Sequence, residues 1–165
     1  GIMFLGCSFT VGIGLPYENM WTSIIAKNLN LEQINLGIGG ASNDTAFRLA
    51  EYYIPKLNPA IVIFLQTFDQ RLEIINFKNK FHNLLPQLIP DQFKNFYQTW
   101  ISNSENSRLN CLKNTLAINH LCNINKNKFL IYNISQFNST DYARDLAHWG
   151  IESNSKIAYK ILNEI

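Results

Sequence analysis

Ser8, Asp145 and His148 are the residues of this chain whose types and spacing could support nucleophilic catalysis. A serine hydroxyl is a weak nucleophile until a base removes its proton, and an imidazole does so best when a carboxylate orients its other nitrogen. Asp145 and His148 are three residues apart, so one short loop can present both side chains. Ser8 follows a short apolar run that ends at a glycine, a position that suits a catalytic group but also an ordinary turn serine. These three residues predict a serine hydrolase site if the fold brings them together.

Glycine-rich sequence after the second apolar run could complete such a site. Acyl transfer needs hydrogen-bond donors for the developing oxyanion, and the tight turn at Gly39 and Gly40 can aim backbone N–H groups there. Cys7 beside Ser8 is an alternative nucleophile. Consecutive residues at a strand end point to opposite sides, so only one of the two can face the site. We interpret Cys7 as a packed small apolar residue.

The elements that must position these residues alternate between strands and helices. Short β-branched and aromatic runs predict four strands, at Ile2–Leu5, Gln33–Leu36, Ala60–Leu65 and Lys128–Asn133. Apolar residues at helical spacing predict four helices, at Trp21–Leu29, Asp44–Tyr53 (ending before Pro55), Ser107–Leu121 and Glu152–Ile165. Such alternation implies a parallel sheet with right-handed crossovers and ligands at the carboxyl ends of the strands.

The segment from about 77 to 106 does not follow this alternation. Short helical pieces such as Gln92–Ile101 are interrupted there by Pro86 and Pro90, so we predict a helical insertion. The length of 165 residues fits one domain, 1–165, that carries this insertion.

Composition excludes several classes of function. Hydrophobic residues make up 47% and charged residues 16% of the chain, which indicates a soluble globular protein. The net charge of +2 is too small to suggest a nucleic-acid partner, and no apolar segment is long enough to span a bilayer. Three cysteines without CxxC spacing argue against a disulfide framework and favour a reducing compartment. Neither His82 nor His120 has a partner at metal-ligand spacing, so no metal is expected, and the early glycines fit no nucleotide-binding pattern.

Three blocks of the sequence resemble the SGNH, or GDSL-like, hydrolase family. Gly6-Cys7-Ser8-Phe9 is similar to the family's Gly-Asp-Ser-Leu motif after the first strand. The segment from Asn35 to Gly40 is similar to its Asn-x-x-x-x-Gly turn, and Asp145-Leu146-Ala147-His148 reproduces its Asp-x-x-His before the final helix. The order and spacing of the blocks agree over nearly the whole chain.

The resemblance implies a fold and a chemistry. The fold would be a flavodoxin-like three-layer α/β/α sandwich around a parallel sheet of four to five strands. Ser8 would be the nucleophile, His148 the base and Asp145 its orienter, with Gly40 and Ser8 N–H groups binding the oxyanion. Substrates of the family range over acetylated sugars, lipids and thioesters, and no cofactor would be needed. Because the chain is too small for a deep acyl-chain tunnel, we expect a small-molecule or carbohydrate ester with a small acyl group, for example acetyl.

The third block departs from the family pattern. The family has Gly-x-Asn-Asp after the third strand, and its asparagine completes the oxyanion hole, whereas this chain has Phe68 at that position. Losing one oxyanion donor costs about 2.7 to 4 kcal/mol of transition-state stabilisation. Candidate substitutes are Gln66, Thr67 and Asn43. We prefer Thr67, because a subgroup that starts GCSFT-x-G has a Thr-x-x-x-Arg-x-Glu run that Thr67, Arg71 and Glu73 match.

Two alternatives to an esterase remain open at this point. An acyltransferase that moves an acetyl group between sugars would use the same triad. A non-catalytic binding or structural module could retain the fold, and Phe68 in place of the asparagine is the main support for that alternative. Arg71 has two interpretations as well. It could form a salt bridge with Glu73 that orders the insertion, or it could meet an anionic substrate.

Overall fold

A computed structural model that describes residues 1–165 shows a four-stranded, wholly parallel sheet at the centre of the molecule. Its strands are β1 (Ile2–Leu5), β2 (Gln33–Asn35), β3 (Ile61–Gln66) and β6 (Lys128–Asn133), in the order β2-β1-β3-β6. An antiparallel hairpin consists of β4 (Leu72–Ile75) and β5 (Phe81–Leu84). The helices are α1 (Ser8–Val11), α2 (Trp21–Asn28), α3 (Asn43–Leu57), α4 (Lys94–Ile101), α5 (Ser104–Ile124) and α6 (Ile151–Leu162).

The strands β1 and β3 are apolar along their length because each is paired on both sides and covered on both faces. All four residues of β1 are buried, and so are the first five of β3. β2 and β6 form the edges of the sheet, and most of their residues are only partly buried. The parallel sheet of four to five strands that the sequence predicts is confirmed.

Alternate residues of the central strands supply two cores on opposite faces of the sheet. On one face, the strand residues Ile2, Phe4, Ile61, Ile63 and Leu65 pack with Trp21 and Ile25 of α2 and with Ile157 and Ile161 of α6. On the other face, Met3, Leu5, Val62 and Phe64 pack with Ala46, Ala50 and Ile54 of α3 and with Ile118 and Cys122 of α5. The period of two along the strands therefore produces the predicted three-layer α/β/α arrangement.

Four predicted helix ends are wrong by three residues or more, including the last residues of α5 (Ile124 and not Leu121) and α6 (Leu162 and not Ile165). α3 does not end before Pro55 but continues to Leu57, because the proline forfeits only one backbone bond and Ile54 beside it is buried in the core. The helix ends where Asn58 adopts a left-handed conformation, with φ of 41°, and donates its N–H to the Ile54 carbonyl. α5 begins at Ser104 rather than Ser107, because the Asn103 side chain caps it by accepting the Glu105 N–H.

The segment predicted as a helical insertion begins with a β-hairpin. β4 and β5 pair from Leu72↔Leu84 to Ile75↔Phe81, and helical structure starts only after Pro90, with a 3-10 turn at Asp91–Phe93 followed by α4. Leu72, Leu84 and Tyr97 form a separate small core between the hairpin and α4. The strands have four residues each, too few to show a clear period of two in the sequence.

A buried carboxylate joins the hairpin to α3. Glu73 accepts two hydrogen bonds from Arg48, at 2.7 and 2.9 Å, and one from the Thr45 hydroxyl at 2.8 Å. The predicted ion pair between Arg71 and Glu73 is therefore not formed, since Arg48 occupies the carboxylate. No helix of the structure has the length and apolar character that crossing a membrane requires.

Replacing Glu73 by alanine should lower the free energy of unfolding by about 3 kcal/mol, because it leaves Arg48 without its partner in a partly buried setting. The Glu73 side chain is only 5% exposed, whereas that of Arg48 is 33% exposed. Because Arg48 keeps some contact with water, the loss of stability should lie at the lower end of the range for broken buried ion pairs. Urea unfolding measures the loss. The matched variant Glu105→Ala removes a carboxylate from an exposed pair with Arg108 and should change stability little. Equal effects of the two substitutions would contradict the assignment.

Candidate active site

Asp145 and His148 are hydrogen-bonded in the loop before α6. Oδ2 of Asp145 lies 2.5 Å from Nδ1 of His148, and Oδ1 accepts the backbone N–H groups of Ala147 and His148, both at 3.1 Å. Leu146 takes a left-handed conformation, with φ of 56°, which tightens the loop enough for the carboxylate to reach all three donors. The hydrogen bond from His148 is the main reason that the pKa of Asp145 falls to about 2. An ionised Asp145 holds the proton on Nδ1, and Nε2 of a neutral His148 is then free to act as a base.

Ser8 is the first residue of α1, directly after the tight turn at Gly6 and Cys7. Cys7 is fully buried, as predicted for a packed residue, whereas Ser8 remains 7% exposed. Ser8 and His148 line the same small cavity, although no hydrogen bond joins their side chains. The structure therefore brings the predicted nucleophile and base to one place, at the carboxyl end of β1.

Aromatic packing holds α1 against the loop that carries His148. The Phe9 ring lies between the rings of His148 and Trp149, with centroid distances of 4.8 and 4.5 Å. The Phe9 carbonyl accepts a 3.0 Å hydrogen bond from the indole nitrogen of Trp21. Phe9, which follows Ser8, and Trp149, which follows His148, are packed together and thus restrict how far Ser8 and His148 can separate.

Asn154 is a buried polar residue of α6 that connects the start of α2 to the loop that carries His148. Its Oδ1 accepts the Trp21 N–H at 3.0 Å, and its Nδ2 donates to the carbonyls of Trp149 and Gly150, both at 2.9 Å. Asn154 is 1% exposed and also lines the cavity of Ser8 and His148. The sequence does not single out Asn154 as part of the site. Its one indication is that an asparagine lies on the apolar face of α6, three residues before Ile157, where a buried amide needs hydrogen-bond partners.

The glycine turn after β2 packs against α1. Asn35 accepts the Gly37 N–H at 3.0 Å and donates to the Thr10 carbonyl of α1 at 2.8 Å. A Cβ at Gly37 would lie 2.8 Å from the backbone nitrogen of Val11, so only glycine permits this approach. Gly40 has φ of 73°, and its N–H has no hydrogen-bond partner within the protein. The turn that packs on α1 therefore also carries an unpaired backbone donor.

Residues from the second and third blocks meet at the end of β3. Asn43 accepts the Thr67 N–H at 2.9 Å and donates to the Thr67 carbonyl at 3.4 Å. Nη1 of Arg71 donates to Oγ1 of Thr67 at 3.1 Å and to the Ala41 carbonyl at 3.2 Å. Arg71 forms no salt bridge, so its positive charge is available to a ligand. Because one atom contacts both residues, Thr67 lies close to the Ala41 carbonyl, one residue after Gly40.

Phe68 lies beside the largest cavity at this edge of the sheet. Its side chain is 44% exposed, and the Arg71 guanidinium carbon is 4.8 Å from its ring centroid. The cavity has a volume of about 520 Å³ and lies between the ends of β3 and β6 and the side of α5; among its lining residues are Gln66, Thr67, Asp69, Arg108, Thr115 and Asn133. Cys111 also lines it, and burial raises the pKa of that thiol, which keeps it protonated.

The predicted residues therefore form two groups on neighbouring strands. Ser8, Asp145 and His148 make the first, and Asn43, Thr67 and Arg71 make the second, with Gly40 on the turn between β2 and α3. β1 and β3 are paired at Leu5↔Phe64, and Ser8 and Thr67 each lie three residues beyond that pair. Nowhere do three His, Cys, Asp or Glu side chains come together in a way that could hold a metal ion.

Comparison with known proteins finds likeness in structure only. No family model matches the chain, and no curated protein matches it. A solved acetyl xylan esterase is similar over 99% of this chain and 98% of its own, with 16% identity and a TM-score of 0.51. The structure of TesA is similar over 98% of this chain and 96% of its own, with 12% identity and a TM-score of 0.54. An acetyl xylan esterase from the rumen bacterium Butyrivibrio proteoclasticus is similar over 99% of this chain and 62% of its own, with 14% identity and a TM-score of 0.53.

These likenesses show the fold of the chain. They extend over almost all of its residues, including the loops that carry Ser8 and His148. The flavodoxin-like α/β/α sandwich that the resemblance to SGNH hydrolases implies is thereby confirmed.

The low pKa of Asp145 predicts how stability depends on pH. A carboxyl group whose pKa falls from the ordinary 3.8 to about 2 on folding stabilises the protein above 3.8, and this contribution is lost as the pH falls toward 2. The difference in unfolding free energy between the wild type and Asp145→Asn should therefore shrink over that interval, as measured by urea unfolding at a series of pH values. In a His148→Ala background the same difference should be smaller, since the main donor is absent. A difference that does not vary with pH would contradict the assigned interaction.

Proposed function

We propose that the protein is a serine esterase or acyl hydrolase of the SGNH type, with Ser8 as nucleophile, His148 as general base and Asp145 as its orienter. The observation that carries the proposal is the pairing of Asp145 with His148 at a cavity that Ser8 also lines. Ser8 lies near the start of the sequence, and Asp145 and His148 lie near its end. The likeness in fold to two solved acetyl xylan esterases supports the same chemistry.

The reaction begins when Nε2 of His148 takes the Ser8 proton as Oγ attacks the ester carbonyl. The carbonyl oxygen becomes an oxyanion, and the imidazolium is stabilised by the Asp145 carboxylate. Collapse of the intermediate breaks the bond to the alcohol, which receives the proton from His148, and leaves an acyl group on Ser8. Water, activated by the same imidazole, then releases the acid.

Three donors would stabilise the oxyanion. As the first residue of α1, Ser8 has a backbone N–H with no acceptor inside the helix, and the Gly40 N–H is unpaired. Thr67 accepts from Arg71 through its hydroxyl oxygen, which leaves its own hydroxyl proton free to donate. We therefore assign Thr67 to the position that an asparagine side chain fills elsewhere in the family. Both oxygen and amide nitrogen of Asn43 already contact Thr67, which favours a positioning role for Asn43.

The substrate we propose is a small acyl ester of a carbohydrate. The cavity that Ser8 and His148 line is closed and offers no room for a long acyl chain. The larger cavity beside Phe68 has an exposed aromatic ring and side chains with amide, hydroxyl and charged groups, and such a lining suits a polyhydroxylated alcohol. Two of the similar solved structures are named as acetyl xylan esterases, which agrees with this class.

Ser8→Ala should abolish labelling by a fluorophosphonate probe and lower the rate of p-nitrophenyl acetate hydrolysis by roughly ten-thousand-fold or more. His148→Ala should reduce both to a similar extent. Ser102→Ala, at an exposed serine after α4, is the matched control and should keep labelling and hydrolysis. Labelling that persists in Ser8→Ala would remove the proposed nucleophile, and a wild type that neither labels nor hydrolyses would indicate a non-catalytic module. A sugar acceptor that takes acetyl in preference to water would indicate a transferase.

Thr67→Val should lower kcat by about a hundred- to thousand-fold with little change in KM, because an oxyanion donor acts in the transition state. Valine preserves the shape of threonine but has no hydroxyl. Thr67→Ser keeps the donor and should restore most of the rate. If Thr67→Ser were as inactive as Thr67→Val while both variants folded, Thr67 would serve packing and not catalysis.

A further inference from the structure

The tip of the β4–β5 hairpin exposes large apolar side chains that the proposed chemistry does not use. The exposed fractions are 59% for Ile75, 92% for Phe77 and 48% for Phe81, and Leu88 in the following loop is 71% exposed. Single exposed apolar residues are ordinary on protein surfaces, whereas a group of this size on one projecting element marks an interaction surface. We refer to residues 75–81 as the hairpin tip.

The lysine and acidic side chains of residues 74–90 are of one sign. Residues 74–90 contain no aspartate or glutamate, whereas Lys78 and Lys80 lie within the tip. The nearest acidic residue before this segment, Glu73, is occupied by Arg48. Neither lysine forms a salt bridge, so both positive charges are available to a partner.

The conformation of the tip is held by its own hydrogen bonds. Oδ1 of Asn76 accepts the backbone N–H groups of Lys78 at 2.9 Å and Lys80 at 3.0 Å, and the Asn76 N–H donates to the Lys80 carbonyl at 3.0 Å. Asn79 has φ of 56°, a left-handed conformation that asparagine tolerates, and its N–H donates to the Asn76 carbonyl. Phe77 is therefore presented to solvent by a closed turn and not by a fraying end.

The base of the hairpin is anchored to the body of the protein. Leu72 and Leu84 are buried against Tyr97 of α4, and the Arg48 guanidinium lies 4.0 Å above the Phe81 ring. Beyond β5, Leu85 lies next to Gly40, since a Cβ built there would be 3.6 Å from the Leu85 side chain. A ligand bound at the tip would thus be held by the same rigid unit that borders the candidate active site.

We propose that the hairpin tip binds the headgroup region of an anionic phospholipid bilayer. Aromatic and aliphatic side chains enter the boundary between headgroups and acyl chains, while lysines reach outward to the phosphates along their own apolar stems. A membrane with acidic lipids attracts each nearby lysine by about 1 kcal/mol, or roughly fivefold in affinity. The absence of acidic residues over the segment removes the repulsion that such a surface would otherwise exert. This proposal does not rest on the esterase assignment, because its evidence lies outside the candidate site.

Co-sedimentation with vesicles tests the proposal directly. The wild type should bind vesicles of phosphatidylglycerol mixed with phosphatidylcholine more tightly than vesicles of phosphatidylcholine alone, and added NaCl should weaken the binding. Phe77→Ala should weaken it about tenfold or more, and the double variant Lys78→Glu/Lys80→Glu roughly 25-fold or more. Urea unfolding of these variants should match the wild type, because the altered side chains are exposed.

Matched controls separate the tip from general effects. Lys27→Glu/Lys113→Glu makes the same change in net charge at exposed sites on α2 and α5, and Leu116→Ala removes an exposed apolar side chain from α5; both should retain most of the binding. Failure of the wild type to bind the acidic vesicles, or equal losses in controls and tip variants, would overturn the proposal. So would a wild-type dimer in sedimentation velocity that Phe77→Ala dissociates in the absence of vesicle binding, since the tip would then be a protein interface.

Discussion

The buried Asn154 side chain is the interaction on which the candidate site depends most. Through its oxygen it binds the backbone of Trp21, and through its nitrogen it binds the carbonyl of Trp149, the residue after His148. Trp21 in turn donates to the carbonyl of Phe9, the residue after Ser8. One amide therefore sets the distance between segments that are about 140 residues apart in sequence. An apolar replacement would leave buried N–H and carbonyl groups unpaired, each at a cost of about 1 to 3 kcal/mol.

The sheet supplies the other constraint, since it brings every loop of the site to one edge. β1 and β3 are neighbours in parallel register, so Ser8 and Thr67 emerge side by side. The second half of the site is then held by polar contacts and not by packing. Asn43 holds the backbone of Thr67, and Arg71 joins Thr67 to the glycine turn through Ala41. Thr67, the side-chain donor that we propose for an oxyanion, is thus held by hydrogen bonds with Asn43 and Arg71.

Elements that follow from strong local patterns could be predicted from the sequence. Which distant residue each polar side chain contacts could not. β1 and β3 are unbroken apolar runs because both of their faces are covered, and Asp145 and His148 meet because three residues of loop suffice. Glu73 shows the limit. Its spacing from Arg71 suggests an ion pair, but the packing of α3 beside β4 gives the carboxylate to Arg48, while Arg71 donates to Thr67 and to the Ala41 carbonyl. Asn154 escaped notice because a single polar residue in an apolar stripe does not reveal which distant backbone groups it serves.

Phe68 marks the place where this chain departs from the family pattern, and its surroundings suggest how the departure is tolerated. Successive residues at the end of β3 point to different sides, so Thr67 is 3% exposed while Phe68 is 44% exposed beside the larger cavity. The Phe68 ring lies under the guanidinium of Arg71, which also donates to Thr67. A neutral amide donor would thereby be replaced by a hydroxyl polarised by a cation that has no acidic partner. If Thr67 is the oxyanion donor that we propose, Arg71 would add stabilisation at longer range than an amide can, because its charge is not neutralised by a salt bridge within the protein.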